Sequence, residues 1–197
     1  ESSYDKLQSL VGLDLVKKQI DGILAVDKIE KERKRYLGKN YQTNTMHMVF
    51  AGNPGTAKTT VAKLFGEIAK EKEILKSGAL VERGGMDLVC VDKVRDAFKA
   101  AQGGVLFIDE AYSIFSGTVI TALIQEMENH RDDVIVILAG YGDRMKHFIS
   151  RNEGLKSRIP YWVDFPDYNA DELTEIFKLM LKERGLYADE SAISEAH

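Results

Sequence analysis

Apolar positions recur along this chain in two rhythms. From residue 13 to 37 they return at spacings of three and four, with Val16, Ile20, Ile23 and Leu24 on one face, and this predicts a helix. Asp27 to Arg35 alternates in charge and reads as a solvated helix face, and Gly38 stands where a helix-ending glycine is wanted. The second rhythm is a set of short apolar runs at Met46–Ala51, Ala79–Glu82, Val105–Ile108, Val134–Leu138 and Tyr161–Phe165, each predicting a strand. The runs at 105–108 and 134–138 have no polar alternation, which suits parallel strands covered on both faces. Between the runs, helical patterns are expected at about 59–72, at 92–101 with Asp92 as N-cap, at 118–127 and at 144–150. Strand and helix in alternation predict a doubly wound parallel α/β sheet.

The pattern breaks at Phe165-Pro166-Asp167-Tyr168. Beyond it Asn169 caps a helix with Glu172 three residues on, and Leu173, Ile176, Phe177, Met180 and Leu181 form an apolar stripe that ends at Gly185. Residues 1–166 are therefore expected to form one α/β unit, and 167–197 to begin a second unit too short to hold a core alone.

At 197 residues, with 44% hydrophobic and 29% charged positions, the composition is that of a soluble globular protein. No run reaches the roughly 18 apolar residues of a membrane span, and Glu1-Ser2-Ser3-Tyr4-Asp5 lacks the marks of a signal peptide. A cytosolic location with no membrane partner is the default expectation. A net charge of −4 argues against nucleic acid as the partner. Cys90 has apolar neighbours, so an inert thiol is expected there, and no Cys/His cluster has metal-ligand spacing.

The first chemical signal follows the first strand. Gly52-Asn53-Pro54-Gly55-Thr56-Ala57-Lys58-Thr59, then Thr60-Val61-Ala62, is an apolar strand, a Gly-rich turn and a helix start, the layout of a phosphate-binding P-loop. Gly52 and Gly55 let successive N–H groups converge into an anion nest at a helix N-terminus. Lys58 would reach the β/γ-phosphates of a nucleotide, and the Thr59 hydroxyl would be a hard oxygen ligand for Mg²⁺. The pattern G-x-x-x-x-G-K-[ST] asks for Gly where Ala57 stands. Alanine costs little there if the backbone is helical and more if φ is positive.

The second signal is Asp109-Glu110 at the end of a buried run. An acidic residue at that point can hold Mg²⁺, and the next can orient and deprotonate an attacking water. Both motifs end strands, where open α/β sheets bind ligands.

Together these residues resemble the AAA+ ATPases, in the branch containing stage V sporulation protein K and the red-type Rubisco activases. The match includes Val11-Gly12-Leu13, His47-Met48-Val49-Phe50, Gly52 to Thr56, Gly103 to Tyr112, Met127-Glu128-Asn129-His130-Arg131, Leu138-Ala139-Gly140-Tyr141 and Phe165 to Tyr168. The resemblance implies a ring-forming ATPase, usually a hexamer, with ATP or ADP and Mg²⁺ between subunits and a protein substrate. Asn53 to Thr60 map onto the nucleotide loop, with Lys58, Thr59 and Asp109 in phosphate and Mg²⁺ roles and Glu110 as catalytic base. Val11 and Gly12 map onto the segment bordering adenine, or are simply the turn before a helix. Within Gly154-Leu155-Lys156-Ser157-Arg158, Arg158 is the expected arginine finger acting on a neighbouring subunit; Arg151 is the alternate, and an ordinary surface arginine the plain reading.

The chain departs from that family at four points. Ala57 is one. After Leu138-Ala139-Gly140 no Asn or Thr is available to sense the γ-phosphate, only Tyr141. Two loops that the resemblance turns toward a central pore are short, after Val89 and around Gly117, so loop residues are expected to be missing at these joins, with real deletion as the other reading. The chain ends at His197, before the arginine of the family's lid, so residues 167–197 are expected to be a truncated lid. The leading expectation is an ATP-driven motor that remodels a protein; the alternatives are a nucleotide-gated scaffold with little turnover and a small-molecule kinase.

Overall fold

The computed structural model describes residues 1–185. Its elements are, in chain order, α1 (Ser3–Ser9), α2 (Asp14–Leu37), β1 (Met48–Gly52), α3 (Lys58–Glu71), β2 (Leu80–Gly84), α4 (Val91–Ala100), β3 (Val105–Asp109), α5 (Gly117–Asn129), β4 (Ile135–Gly140), α6 (Gly142–Ser150), α7 (Glu153–Arg158), β5 (Tyr161–Phe165) and α8 (Ala170–Glu183). Short 3₁₀ turns follow β2 at Gly85–Asp87 and β3 at Ala111–Ser113.

The five strands form one parallel sheet in the order β2-β3-β4-β1-β5. Side chains alternate faces along each strand, and this divides the interior in two. Val49, Ala51, Leu106, Ile108, Val136 and Leu138 pack under α4 to α7. Met48, Phe50, Val105, Phe107, Ile135 and Ile137 pack under α1, α2 and α3. All of β4 is buried, because it has a strand on each side and helices above and below. The doubly wound α/β expectation is met.

Several expectations are corrected in detail. Helix α4 starts at Val91 with Cys90 as its N-cap, so Asp92 lies inside the first turn, and the Cys90 thiol is exposed rather than lodged among apolar neighbours. Glu30, assigned to a solvated face, is buried; its carboxylate takes Arg33 (3.2 Å), the Tyr41 hydroxyl (3.3 and 3.2 Å) and the Asn44 amide (3.4 Å). That carboxylate ties the return from α2 to the approach of β1. Helices α1 and α7 were not expected; α1 is set by a reciprocal cap between Ser2 and Asp5, and the buried Ser3 hydroxyl bonds Glu67 (3.1 Å) and Glu71 (2.8 Å) of α3.

The outer edge of β5 meets α2. Gln19 gives its amide N–H to the Trp162 carbonyl (3.5 Å) and accepts the Asp164 amide (3.3 Å), taking one outward carbonyl and one outward amide of that edge. Helix α8 follows its Asn169–Glu172 cap as expected, yet it buries no residue, and Leu173, Phe177 and Met180 of its stripe are exposed. Residues 186–197, part of the expected second unit, lie outside the described residues. Among the described residues no helix is long and apolar enough to cross a membrane.

His47, just before β1, is buried and stitches two elements: Nδ1 accepts the Val136 amide (2.9 Å) and Nε2 faces the Met127 carbonyl (3.4 Å). Burial holds its pKa down at about 4, from an ordinary 6.5. The folded chain keeps this ring neutral while the unfolded chain protonates it below pH 6.5, so stability falls as pH drops from 6.5 toward 4. At about 1.4 kcal/mol per pH unit the whole window is worth about 3 kcal/mol. Denaturant unfolding at pH 7.5, 6.0 and 5.0 is expected to show this slope in the wild type and a shallower one in His47→Gln; equal slopes would contradict it.

Candidate functional site

Because all five strands are parallel, their C-terminal ends lie along one edge, and both chemical signals are there. β1 delivers residues 52–57 and β3 delivers Asp109, with β4 between them; the register pairs Ala51 with Gly140, and Asp109 with Ala139. The loop closes on itself. The Lys58 ammonium donates to the carbonyls of Gly52 (2.9 Å) and Asn53 (2.7 Å), and the buried Thr56 hydroxyl donates to the Asn53 carbonyl (2.6 Å). Burial pushes the Lys58 pKa down, and the negative charge of Asp109 opposes that shift. The two motifs are thus within electrostatic reach of each other. Thr59 and Thr60 lie exposed in the first turn of α3, whose leading N–H groups have no partner inside the helix. Pro54 and Gly55 form the exposed tip.

Ala57 resolves the question its sequence position raised. It is the N-cap of α3, at φ +66° and ψ +21°, so the branch that costs more is the one realised. A left-handed L-residue is strained by about 1 kcal/mol. Glycine would remove that strain but gain entropy in the unfolded chain. Ala57→Gly is therefore expected to change stability by less than about 1 kcal/mol, read by denaturant unfolding.

Glu110 is also left-handed, at φ +48°, and its amide N–H donates to Asp109 Oδ1 (2.9 Å), which makes a tight turn at the strand end. Gly85, after β2, makes room for this turn, since a Cβ there would sit 2.3 Å from the Glu110 carbonyl oxygen. Sequence reading missed Gly85; its Gly84-Gly85 pair was the available signal. Two residues past Glu110, the Tyr112 ring packs on Gly140 at the end of β4. The Arg144 guanidinium lies 5.4 Å from the ring centres of both Tyr112 and Tyr141, so Tyr141 at the strand end is held in a cation–aromatic stack.

Val11 and Gly12 precede α2, braced by Lys17 Nζ on the Leu10 carbonyl (2.6 Å). Gly12 is at φ +63°, and a Cβ there would be 2.5 Å from Glu172 Oε1 of α8. Asn53 Nδ2 donates to both oxygens of Asp167 (3.0 and 3.1 Å).

Arg158 is not brought to this edge. Its carbonyl accepts Thr45 Oγ1 (2.8 Å) below β1, so it sits at the opposite end of the sheet from its own loop. Nη1 donates to the Gly154 carbonyl (3.1 Å), and Nε lies 3.6 Å from Glu128, which also binds Arg131. Arg151 is exposed, with Nη1 3.4 Å from the His147 ring. Among the described residues no group of three or more His, Cys, Asp or Glu side chains could cage a metal.

A parallel sheet with a phosphate loop after β1 and an acidic pair after β3 defines a P-loop nucleotide-binding domain. The family model "ATPase family associated with various cellular activities (AAA)" matches residues 48–160, and the chain belongs to that family. It is 41% identical over 192 residues to stage V sporulation protein K of Bacillus subtilis (strain 168), covering 91% of this chain and 59% of that protein. It is 41% identical over 191 residues to protein CbbX of Cereibacter sphaeroides (90% and 62%). Identity is 40% over 191 residues to the chloroplastic ribulose bisphosphate carboxylase/oxygenase activase of Cyanidioschyzon merolae (90% and 65%). The chain therefore spans about three-fifths of the length of these relatives. The Thermotoga maritima RuvB P216G mutant shares the fold, with a TM-score of 0.67 at 22% identity over 95% of this chain and 57% of that one. The expected branch of the AAA+ proteins is met by these relatives.

Gly85→Ala is expected to cost about 2–3 kcal/mol in unfolding free energy, because the Glu110 turn must move. An unchanged midpoint in denaturant would show that the turn yields freely.

Proposed function

We propose that this chain binds and hydrolyses ATP, and that it does so as one member of a ring whose subunits share nucleotide sites. The observation that carries this is the meeting of Lys58 with the Asp109-Glu110 strand end at one edge of the sheet. The β- and γ-phosphates would lie on the free N–H groups that open α3, and the Lys58 ammonium would leave the Gly52 and Asn53 carbonyls for phosphate oxygens. Thr59 and Asp109 would hold Mg²⁺, which when bound neutralises charge on the phosphates. Val11 and Gly12 would border the adenine. Glu110 would orient a water and take its proton as the oxygen–phosphorus bond forms and the bond to the β-phosphate oxygen breaks, leaving ADP and phosphate.

Arg158 supports a reading across subunits. It is far from its own loop, and a guanidinium arriving from a neighbour would offset charge on the γ-phosphate. Residues 1–166 would be the nucleotide-binding subdomain, and α8 the start of a helical lid, its apolar stripe exposed at Leu173, Phe177 and Met180. Relatives named for Rubisco activation and sporulation support a protein substrate, remodelled by hydrolysis, and the family resemblance supports a cytoplasmic ring of six.

Steady-state ATP hydrolysis against protein concentration tests this. Specific activity is expected to rise with concentration. Lys58→Ala should lose binding and turnover, and Glu110→Gln should bind ATP while slowing turnover by about 100-fold or more. Arg158→Ala mixed with wild type should depress activity beyond simple dilution. Turnover that is flat and negligible despite ATP binding would overturn the motor reading; a purely linear mixing curve would overturn the role of Arg158.

A further inference from the structure

The Asn53–Asp167 contact joins segments 114 residues apart and is not explained by phosphate chemistry. Asn53 is a hub. Its carbonyl receives both Lys58 Nζ (2.7 Å) and Thr56 Oγ1 (2.6 Å), while its side-chain amide gives to both oxygens of Asp167. Asn53 and Asp167 are both exposed, so without this contact the Asn53 side chain would turn freely in water.

Asp167 is itself well fixed. Pro166 before it restricts the backbone, and Asn169, two residues after it, caps α8. Glu172 of that helix closes the reciprocal cap through Oε2 on the Asn169 amide (2.9 Å), and its Oε1 lies against Gly12. The linker between β5 and α8 therefore bears on residue 53 of the loop, and the first turn of α8 on residue 12. Pro54 after Asn53 restricts the Asn53 backbone, so holding the Asn53 side chain fixes the course of the loop where it leaves β1.

We infer that Asp167 is a positioning residue of the nucleotide site, ordering the phosphate loop through Asn53 before nucleotide arrives. The inference rests on the reading of residues 52–59 as the phosphate-binding loop. A loop ordered beforehand favours ATP and ADP alike, because the gain is in binding and not in the transition state. The effect therefore belongs in affinity and KM and leaves kcat nearly alone, which a general loss of structure would not do.

The test measures binding of fluorescently labelled ADP, and kcat and KM for ATP, in wild type, Asp167→Ala, Asp167→Asn, Asn53→Ala and the double alanine variant, with melting temperatures alongside. Asp167→Ala is expected to weaken ADP binding and raise KM by about fivefold, the scale of a charge-assisted hydrogen bond in water, with kcat within about twofold. Asn53→Ala should weaken binding at least as much, and the double variant no more than Asn53→Ala alone. Asp167→Asn keeps one acceptor oxygen for Asn53, so it should recover most of the affinity; it also fills the same volume, and so carries the comparison even if Asp167→Ala melts early. Unchanged ADP binding in Asp167→Ala, or additive losses in the double variant, would overturn the inference and leave the loop reading standing. Wild type that binds no labelled ADP would overturn the loop reading itself.

Discussion

Burial of β4 between β1 and β3 is the constraint on which the site depends. Neighbouring strands stand about 4.8 Å apart, so one intervening strand separates the ends of β1 and β3 by about 10 Å. That gap keeps Lys58 and Asp109 in electrostatic reach without letting them collapse into a direct ion pair. Every residue of β4 is apolar or glycine, since it has no solvated face on which a polar side chain could rest. The fold therefore sets the spacing by hydrophobic burial, and the chemistry is hung from the strand ends.

Around that edge three non-glycine residues take left-handed backbone: Leu13 beside the Val11-Gly12 segment, Ala57 before Lys58, and Glu110 after Asp109. Each stands where the chain turns sharply from one element to the next. Such strain persists only when packing over-determines it. Leu13 is buried, Ala57 begins a helix whose Val61 amide bonds back to it, and Glu110 is fitted over Gly85.

The strands and the two chemical motifs could be read from sequence because each is local: an apolar run, a glycine-rich turn, a carboxylate pair. What escaped depends on partners distant in the chain. Glu30 looks like part of a solvated charge run until Tyr41 and Asn44 fold back onto it. Cys90 has apolar neighbours in sequence, but Val89 beside it is exposed in space. Helix α1 has one buried leucine and a cap built on Asp5 in place of the more usual Glu or Gln, too little periodicity to announce itself. The stack of Arg144 between Tyr112 and Tyr141 needs two strand ends brought side by side, and no spacing along the chain encodes that.

Gln19 on the outer edge of β5 has a consequence for how copies of this chain can meet. An open strand edge is a template that any extended peptide can extend, and such templates seed fibres. Here a helix side chain already takes the outward carbonyl of Trp162 and the outward amide of Asp164. Contact on that flank then falls more to side chains, which can be broken and remade in passing, whereas a shared ladder of backbone bonds would lock neighbours together. An edge occupied in this way can crowd against its own kind without becoming continuous with it.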